Sequence, residues 1–279
     1  KNAAKPWLLY LTHFSVHTPI QAKRELADHY ADKPPGELHH DIAMAAMIKS
    51  TDDGIGKILA KLDELELTDN TVVIFYSDNG GYGPATDMYP LYGYKGTYYE
   101  GGIRVPLAVR WPGRIESGQV SDALVTGVDI YPTLCALMGA PLPAGQIADG
   151  KSLVPVLTGA APDPDRTIFW HFPAYLQSYR QTVSEQRDPL FRSRPVSVVR
   201  QGDWKLLHFY EDGAYELYNL AEDIGETHNL AALKPERTAA LATVLSDWLK
   251  ATDAAIPRAP NPDFDPVVHE AALQAAAMR

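Results

Sequence analysis

The chain has 279 residues, of which 46% are hydrophobic and 10% aromatic, so it can bury a substantial core and is long enough for one large domain and a smaller one. Its formal net charge of −10 argues against a nucleic acid or an anionic membrane as partner, because either would require a concentrated basic surface. No apolar stretch reaches the roughly eighteen residues that a membrane span needs. The single cysteine, Cys135, rules out an internal disulfide.

The first half of the chain predicts the strands and helices of an α/β fold. The apolar run Trp7–Thr12 predicts a strand, and apolar residues at three- and four-residue steps predict a helix over Leu38–Leu67. The β-branched and aromatic run Thr71–Tyr76 predicts a buried strand. A further strand over Pro106–Trp111 and a short helix over Tyr131–Gly139, ending at glycine, follow.

After a connection rich in Pro, Gly and Ala, residues 140–165, the pattern changes to short strand-like runs separated by turns, which predicts an antiparallel sheet. A helix over Pro235–Ala251 is predicted to cover one face of that sheet, and the proline-rich end from Pro257 predicts an extended strap. We therefore predict two domains, residues 1–160 and 161–279. The predicted strands of the second domain are Thr167–His171, Val196–Gln201, Lys205–Tyr210 and Tyr215–Leu220. The predicted inward residues of its helix are Leu241, Leu245, Trp248 and Leu249.

Asp78 and Asn79 follow the predicted strand Thr71–Tyr76, and the strand end is where ligands bind in an open α/β sheet. A carboxylate and an amide carbonyl are hard oxygen ligands, suited to Ca²⁺ or Mg²⁺ rather than to Zn²⁺. Gly80 and Gly81 permit a sharp turn beside an ion. The same residues also fit an ordinary turn, and on their composition alone the turn is the better interpretation.

Lys95 lies among glycines, in a loop with few ways to become a packed core residue. Its point charge suits an oxygen of phosphate or sulfate. The loop from Asp78 to Arg104 is long, and loops of that length within a compact domain tend to be functional. Glu100 and Arg104 are predicted to hold this loop by a hydrogen-bonded ion pair.

The blocks Ser77–Gly81 and Lys95–Pro106 resemble two segments of the type I sulfatases of the alkaline-phosphatase-like superfamily. These are the Ser-Asp-Asn-Gly metal motif and the Lys-Gly-Thr-x-Tyr-Glu-Gly-Gly segment. Further resemblances follow in family order along most of the chain, and the ordered set is far more specific than any one motif. The further segments are Phe14–Pro19, Met47–Gly56, Val128–Leu134, Val199–Leu206 and Glu216–Leu220.

The resemblance implies an α/β fold with an alkaline-phosphatase-like sheet flanked by helices, whose N-terminal part is missing from this sequence, and a smaller C-terminal subdomain of an antiparallel sheet plus a helix. It implies that His17 and Lys95 contact the sulfate and help the ester oxygen leave, and that Asp78 and Asn79 bind Ca²⁺, with Mg²⁺ possible. A lone histidine beside proline is by itself more often a surface or capping residue. The matching segment reverses that preference for His17 but not for His13, which stays unassigned.

The family's nucleophile is absent from this sequence. Sulfatases carry a formylglycine made from Cys or Ser in a Cys/Ser-x-Pro-Ser/Ala-Arg motif, and no such motif occurs here. Cys135 lies in an apolar helical stretch and is predicted to be a core residue. The nearest imitation, Ser193–Ser197, has the proline but lacks the arginine. Asp52 and Asp53 fall inside a predicted helix and are predicted on its surface rather than at an ion.

We therefore expect the chain to be the C-terminal portion of a sulfuric ester hydrolase, with formylglycine and further metal ligands supplied by an N-terminal portion. Without that portion, edges of the sheet would be exposed. We therefore expect this chain to pair with the N-terminal portion or to form a homo-oligomer. The family resemblance favours sulfated carbohydrates over small aryl sulfates and implies a periplasmic or secreted protein. Trp170–Pro173 and the insertion 175–194 are interpreted either as a substrate wall or, for Trp170 and Phe172, as subdomain core.

Two other hypotheses remain open on the sequence alone. One is a phosphodiesterase or phosphonate hydrolase of the same superfamily, which would require a Thr or Ser nucleophile and a two-metal ligand set. The other is a non-catalytic remnant or binding module that keeps the fold without the nucleophile.

Overall fold

A computed structural model describes residues 5–179, 187 and 189–277 of the chain, which divides into two compact units. The first unit combines Lys1–Asp78 with Pro106–Pro164, and the second combines Asn79–Val105 with Asp165–Arg279. The predicted division after residue 160 stays a prediction. Part of the predicted substrate wall, residues 180–186 and 188, lies outside the described residues.

Helices and strands alternate in the first part of the chain, and strands dominate after residue 165. In chain order the helices are α1 (Arg24–Ala31), α2 (Ile42–Glu64), α3 (Glu100–Ile103), α4 (Ile130–Leu137), α5 (Val154–Leu157), α6 (Pro235–Ala251) and α7 (Pro266–Ala277). The strands are β1 (Val73–Tyr76), β2 (Leu107–Arg110), β3 (Thr167–Phe172), β4 (Leu176–Gln177), β5 (Phe191–Ser193), β6 (Val196–Gln201), β7 (Trp204–Phe209) and β8 (Tyr215–Asn219). Short 3₁₀ turns lie at Thr68–Asn70 and Gly127–Asp129.

The first unit is built on α2 and on an antiparallel pair of strands. α2 begins where the Asp41 carboxylate accepts a hydrogen bond from the Met44 amide at 2.8 Å, and α1 packs against it. β1 pairs with β2 so that Ile74 lies opposite Val109. Cys135 of α4 is buried, as predicted. The strand β1 ends at Tyr76, two residues before Asp78, so Asp78 follows a strand end as the sequence predicted.

The second unit contains an antiparallel sheet in the order β3-β6-β7-β8. One face is covered by α6, whose Leu241, Leu245 and Leu249 pack against Val199, Leu206 and Leu217 of the sheet. The other face buries Val198, Leu207 and Phe209, together with Tyr99 of the loop Asp78–Arg104, which we call the glycine-rich loop. Two apolar layers, one on each face, thus hold the sheet.

Trp170 and Phe172 are partly buried against the core on the second face of this sheet, beside Tyr99. Phe172 also contacts Tyr98, with ring centroids 5.8 Å apart. Of the two interpretations of these side chains, the subdomain core is the one that the structure confirms. Trp248, a predicted inward residue of α6, stacks on Phe169 at 4.6 Å.

Two predictions about secondary structure were wrong. Trp7–Thr12 forms no strand, because no described segment pairs with it, and the side chains of residues 7–11 remain 45–85% exposed. The C-terminal segment is not wholly an extended strap, because it ends in α7. That helix is capped by the Asp265 carboxylate, which accepts hydrogen bonds from the amides of Val267 at 2.8 Å and Val268 at 3.3 Å. Among the described residues, the helices are too short or too polar to cross a membrane.

Replacing Leu206 by alanine should open a cavity between the sheet and α6, because this side chain is fully buried. We expect the free energy of unfolding to fall by about 2–5 kcal/mol. Urea denaturation followed by circular dichroism measures this loss. Leu233→Ala is the matched control, because Leu233 is 76% exposed, and its effect should stay within about 0.5 kcal/mol. Similar losses for the two variants would contradict the packing described for this face.

Candidate functional site

Lys95 lies at the second position of a tight turn, Tyr94–Thr97. The Thr97 amide donates to the Tyr94 carbonyl at 2.9 Å, and Gly96 adopts a left-handed φ of +92°. This pattern is a four-residue turn that requires glycine at its third position. The Thr97 hydroxyl closes the turn a second time, because it accepts from the Tyr94 amide at 3.1 Å and donates to the Tyr94 carbonyl at 2.9 Å. The Lys-Gly-Thr sequence thus fixes the backbone from which Lys95 projects.

Backbone contacts join this turn to the segment that follows Asn79. The Lys95 amide donates to the Gly81 carbonyl at 2.9 Å, and the Gly80 amide donates to the Gly102 carbonyl of α3 at 3.0 Å. Within the second unit, the structure therefore brings the neighbourhood of Asn79 and that of Lys95 onto the same framework.

Close approach explains the glycines of this framework. A Cβ on Gly80 would lie 1.8 Å from the Gly101 carbonyl oxygen, and one on Gly101 would lie 2.1 Å from the Gly93 carbonyl oxygen. A Cβ on Gly102 would lie 2.2 Å from the Thr97 carbonyl oxygen. No side chain fits at these distances, so glycine is a steric requirement at all three positions.

A buried ion cluster anchors α3 to the sheet of the same unit. Lys205, a fully buried residue of β7, places its Nζ 3.1 Å from Oε1 of Glu100 and 2.8 Å from Oε1 of Glu226. The contact with Glu226 is an ion pair between two fully buried side chains. The other oxygen of Glu226 accepts a hydrogen bond from the Glu100 amide at 2.6 Å. One ammonium thus links the glycine-rich loop, β7 and the segment after β8.

The two carboxylates of this cluster differ in pKa. Burial alone would raise the pKa of Glu100, but the charges of Lys205 and Arg200 and the hydrogen bonds from Lys205 and Arg104 hold it below its usual value. Burial raises the pKa of Glu226, because it outweighs the attraction of Lys205. The difference follows from the arginines: Nη1 of Arg104 lies 3.0 Å and Nη1 of Arg200 lies 3.5 Å from Oε2 of Glu100. The predicted ion pair of Glu100 with Arg104 is confirmed as part of this larger cluster.

In the first unit, Asp129 is a fully buried structural residue. Its carboxylate accepts hydrogen bonds from the amides of Thr126 and Lys151, each at 2.8 Å. Thr133 donates to the Asp129 carbonyl at 2.7 Å and accepts from the Leu153 amide at 2.8 Å. The Asp129 carboxylate therefore caps the 3₁₀ turn Gly127–Asp129, which leads into α4, and ties down the segment before α5.

The predicted site residues are divided between the two units. His17 and Asp78 belong to the first, and both are exposed; Asn79 and Lys95 belong to the second, and both are half-buried. Nδ1 of His17 lies 3.1 Å from the carbonyl oxygen of Thr18.

The side-chain oxygens of Asp78 and Asn79 are of the type that Ca²⁺ and Mg²⁺ prefer, so the donor chemistry fits a hard cation. Their number does not complete a site, because Ca²⁺ takes about six to eight oxygens. Within the part of the chain that the structure describes, no three His, Cys, Asp or Glu side chains form a metal-binding group. Further ligands are needed, and no reaction step can be derived through a metal from these residues.

Sequence reasoning assigned no role to Lys205, Glu226, Tyr179 or Arg192. Lys205 could have been identified from the sequence. It lies on the same inward face of β7 as Leu207 and Phe209, and a charge buried there requires a partner. Tyr179 and Arg192 fall in the insertion predicted as a substrate wall, and the sequence alone does not single them out.

Comparison with known proteins gives two matching family models. The model described as "Sulfatase" matches residues 1–140, and the one described as "N-sulphoglucosamine sulphohydrolase, C-terminal" matches residues 91–254. A relative named "Sulfatase" from Formosa agariphila is 37% identical over 90% of this chain and 46% of its own length.

Two solved structures are also similar. Ps i-CgsB in complex with k-i-k-neocarrahexaose has a TM-score of 0.68 and 26% identity, covering 95% of this chain and 53% of that one. The phosphonate monoester hydrolase of Agrobacterium radiobacter has a TM-score of 0.55 and 30% identity, covering 76% of this chain and 41% of that one. The chain thus spans about half the length of the proteins that it matches.

Replacing Lys205 by alanine should leave Glu100 and Glu226 buried and unpaired. We expect a loss of about 3–5 kcal/mol in the free energy of unfolding, measured by urea denaturation. Lys234→Ala, at an exposed position, is the control and should have little effect. A small loss for Lys205→Ala would mean that the cluster does not hold the loop on the sheet.

Replacing Gly80 by alanine should displace the loop, because the new Cβ would overlap the Gly101 carbonyl. We expect a destabilisation of about 1–3 kcal/mol or more. Hydrogen–deuterium exchange should also be faster at the Lys95 amide. Gly56→Ala in α2 meets nothing within 4 Å and should be neutral or stabilising by up to about 1 kcal/mol. Unchanged exchange at Lys95 in Gly80→Ala would contradict the described framework.

Proposed function

The chain belongs to the sulfatase family, and from that premise we propose that it is the C-terminal part of a sulfuric ester hydrolase acting on sulfated carbohydrates. The net reaction adds water to the ester, yielding a free hydroxyl group and sulfate. The observation that carries the proposal is the state of Lys95. Its backbone is fixed by the turn and by the Gly81 contact, whereas its ammonium pairs with no carboxylate among the residues that the structure describes.

A fixed ammonium without an internal counter-ion is suited to an anionic substrate group. Its three N–H donors can bind sulfate oxygens, and its charge favours the transition state as negative charge grows on the leaving oxygen. In the proposed mechanism Lys95 binds and orients the sulfate. His17 stabilises or protonates the leaving oxygen as a general acid.

Asp78 and Asn79 are the residues proposed to contribute to a Ca²⁺ or Mg²⁺ site, together with ligands from an N-terminal portion. Such a cation, when bound, would polarise the sulfuryl oxygens. The formylglycine nucleophile is also proposed to come from that portion, because this sequence has no motif for it.

The proposed substrate class rests on two similarities. One matching family model describes the C-terminal part of an enzyme of N-sulphoglucosamine, which is a sulfated sugar. A solved structure with 26% identity holds a neocarrahexaose, which is an oligosaccharide. We propose a periplasmic or secreted location for the enzyme.

An exposed apolar segment near the start of the chain supports an N-terminal portion of the same enzyme as the partner. Trp7, Leu8, Leu9 and Leu11 are between 45% and 59% exposed, and Tyr10 is 85% exposed. Such a run is costly to leave in water. We propose that the N-terminal portion of the same enzyme covers it, with a homo-oligomer as the alternative, and that neither nucleic acid nor membrane is a partner.

Phosphonate ester hydrolysis is the second candidate function. The specific observation in its favour is the 30% identity to a phosphonate monoester hydrolase. Phosphonate and sulfate esters both present anionic oxygens to a fixed ammonium, so Lys95 serves either reaction. The nucleophile and the metal ligands supplied elsewhere would distinguish the two reactions.

Lys95→Ala tests the proposal in protein produced from its complete gene. We expect kcat/KM for 4-nitrophenyl sulfate to fall by about a hundredfold or more, because a donor to the developing charge is lost. Lys57→Ala is the control, because Lys57 is an exposed lysine of α2. Peptide mass spectrometry should find a formylglycine upstream of this chain.

Three results would count against a sulfatase. They are equal activity of Lys95→Ala and the control, faster turnover of phenyl phosphonate esters than of sulfate esters, and the absence of formylglycine. The second result would favour the phosphonate hydrolase. The third, with no turnover of either ester, would favour a non-catalytic binding module.

A further inference from the structure

Arg192 of β5 is fastened to the backbone of the Lys95 turn. Its Nε donates to the Gln177 carbonyl at 2.7 Å, and its Nη1 lies 3.5 Å from the Lys95 carbonyl oxygen. A Cβ on Gly96 would lie 3.2 Å from the same Nη1, so the guanidinium rests directly against the turn. The position of this guanidinium is therefore tied to the backbone from which Lys95 projects.

The guanidinium has no carboxylate partner among the described residues, although neighbouring arginines do. Arg187 pairs with Asp212 at 2.7 Å, and Arg194 pairs with Glu211 at 3.0 Å. Arg192 instead contacts the carbonyl oxygens of Gln177 and Lys95 and the side chain of Tyr179, none of which neutralises its charge. Two of its five N–H donors point at those carbonyls, which leaves others for a ligand.

The guanidinium of Arg192 packs against the ring of Tyr179. The guanidinium carbon of Arg192 lies 4.0 Å from the ring centroid of Tyr179, and the Tyr179 hydroxyl lies 3.4 Å from the Lys95 carbonyl oxygen. Tyr179 is wedged against Tyr82 at 4.9 Å and Tyr94 at 5.5 Å between ring centroids. The tyrosines fix the plane of the guanidinium, and a fixed plane favours bidentate binding of an oxyanion.

We propose that Arg192 is a specificity-determining residue that binds a second sulfate group of the substrate, next to the sulfate ester that Lys95 binds. This inference rests on the proposed function and deepens it: the preferred substrate is a sugar with two sulfates. Both cations are half-buried, both belong to the same unit, and neither is paired with a carboxylate of the described residues, so each can take an anionic group of a ligand. A monosulfated ligand satisfies one cation, whereas a disulfated ligand satisfies both.

Two substrates that differ in the second sulfate test this assignment: glucosamine 2-N,6-O-disulfate and N-acetylglucosamine 6-sulfate. In protein from the complete gene, Arg192→Ala should raise KM for the disulfate about tenfold, the loss expected for one hydrogen-bonded charge contact. Turnover of the monosulfate should change by less than about twofold. Arg192→Lys should fall between wild type and Arg192→Ala, because lysine keeps the charge without the planar fork. Arg194→Ala is the matched control, because Glu211 already neutralises that arginine, and it should leave the ratio of the two KM values unchanged.

The inference is overturned if Arg192→Ala weakens both substrates equally, or if it changes neither. If the wild type hydrolyses neither sugar and also leaves 4-nitrophenyl sulfate intact, the proposed function fails, and titration calorimetry with the disulfate then decides the inference by itself. Binding that weakens about tenfold in Arg192→Ala would support the second-sulfate site. Absent binding, or binding that the variant leaves unaffected, would overturn it.

Discussion

The buried contact between Lys205, Glu100 and Glu226 is the interaction on which the glycine-rich loop depends. Removing these charges from water costs several kcal/mol for each ion, so the cluster persists only while every member has its partner. Its three members come from segments far apart in sequence: the loop, β7 and the turn after β8. For this reason residues 79–105 group with the C-terminal sheet rather than with the chain on either side of them.

Because it is anchored in this way, the long glycine-rich loop has a restricted backbone. Between Asn79 and Val105 the backbone is not a flexible connection, because α3, the Tyr94–Thr97 turn and the approach of Gly80 to Gly101 leave it little freedom. Lys95 therefore projects from a rigid base. A cation held in place before its ligand arrives loses less entropy on binding, and rigid support of this kind distinguishes a binding site from a surface lysine.

The sequence predicted those elements whose cause is local. α6 was predicted with its bounds because its leucines repeat at helical spacing, and the sheet strands were marked by turns. The prediction of a strand over Trp7–Thr12 was wrong because a strand requires a pairing partner, which the composition of the segment alone cannot supply. The cluster of Lys205 with Glu226 depends on contacts across more than twenty positions, which spacing does not encode. At the site, resemblance singled out Lys95, whereas Arg192 emerged only from its contacts.

Those contacts separate two classes of cation in the second unit. Lys205, Arg200 and Arg104 pair with the carboxylate of Glu100, so their charges have an anionic partner within the fold. Lys95 lies in the Tyr94–Thr97 turn, Arg192 of β5 lies against that turn, and neither pairs with a carboxylate of the described residues. In a chain with a net charge of −10, attraction of a polyanion cannot come from the overall field and must come from such local, unneutralised charges. Substrate selection then depends on how many anionic groups a sugar presents within reach of that single turn, rather than on its total charge.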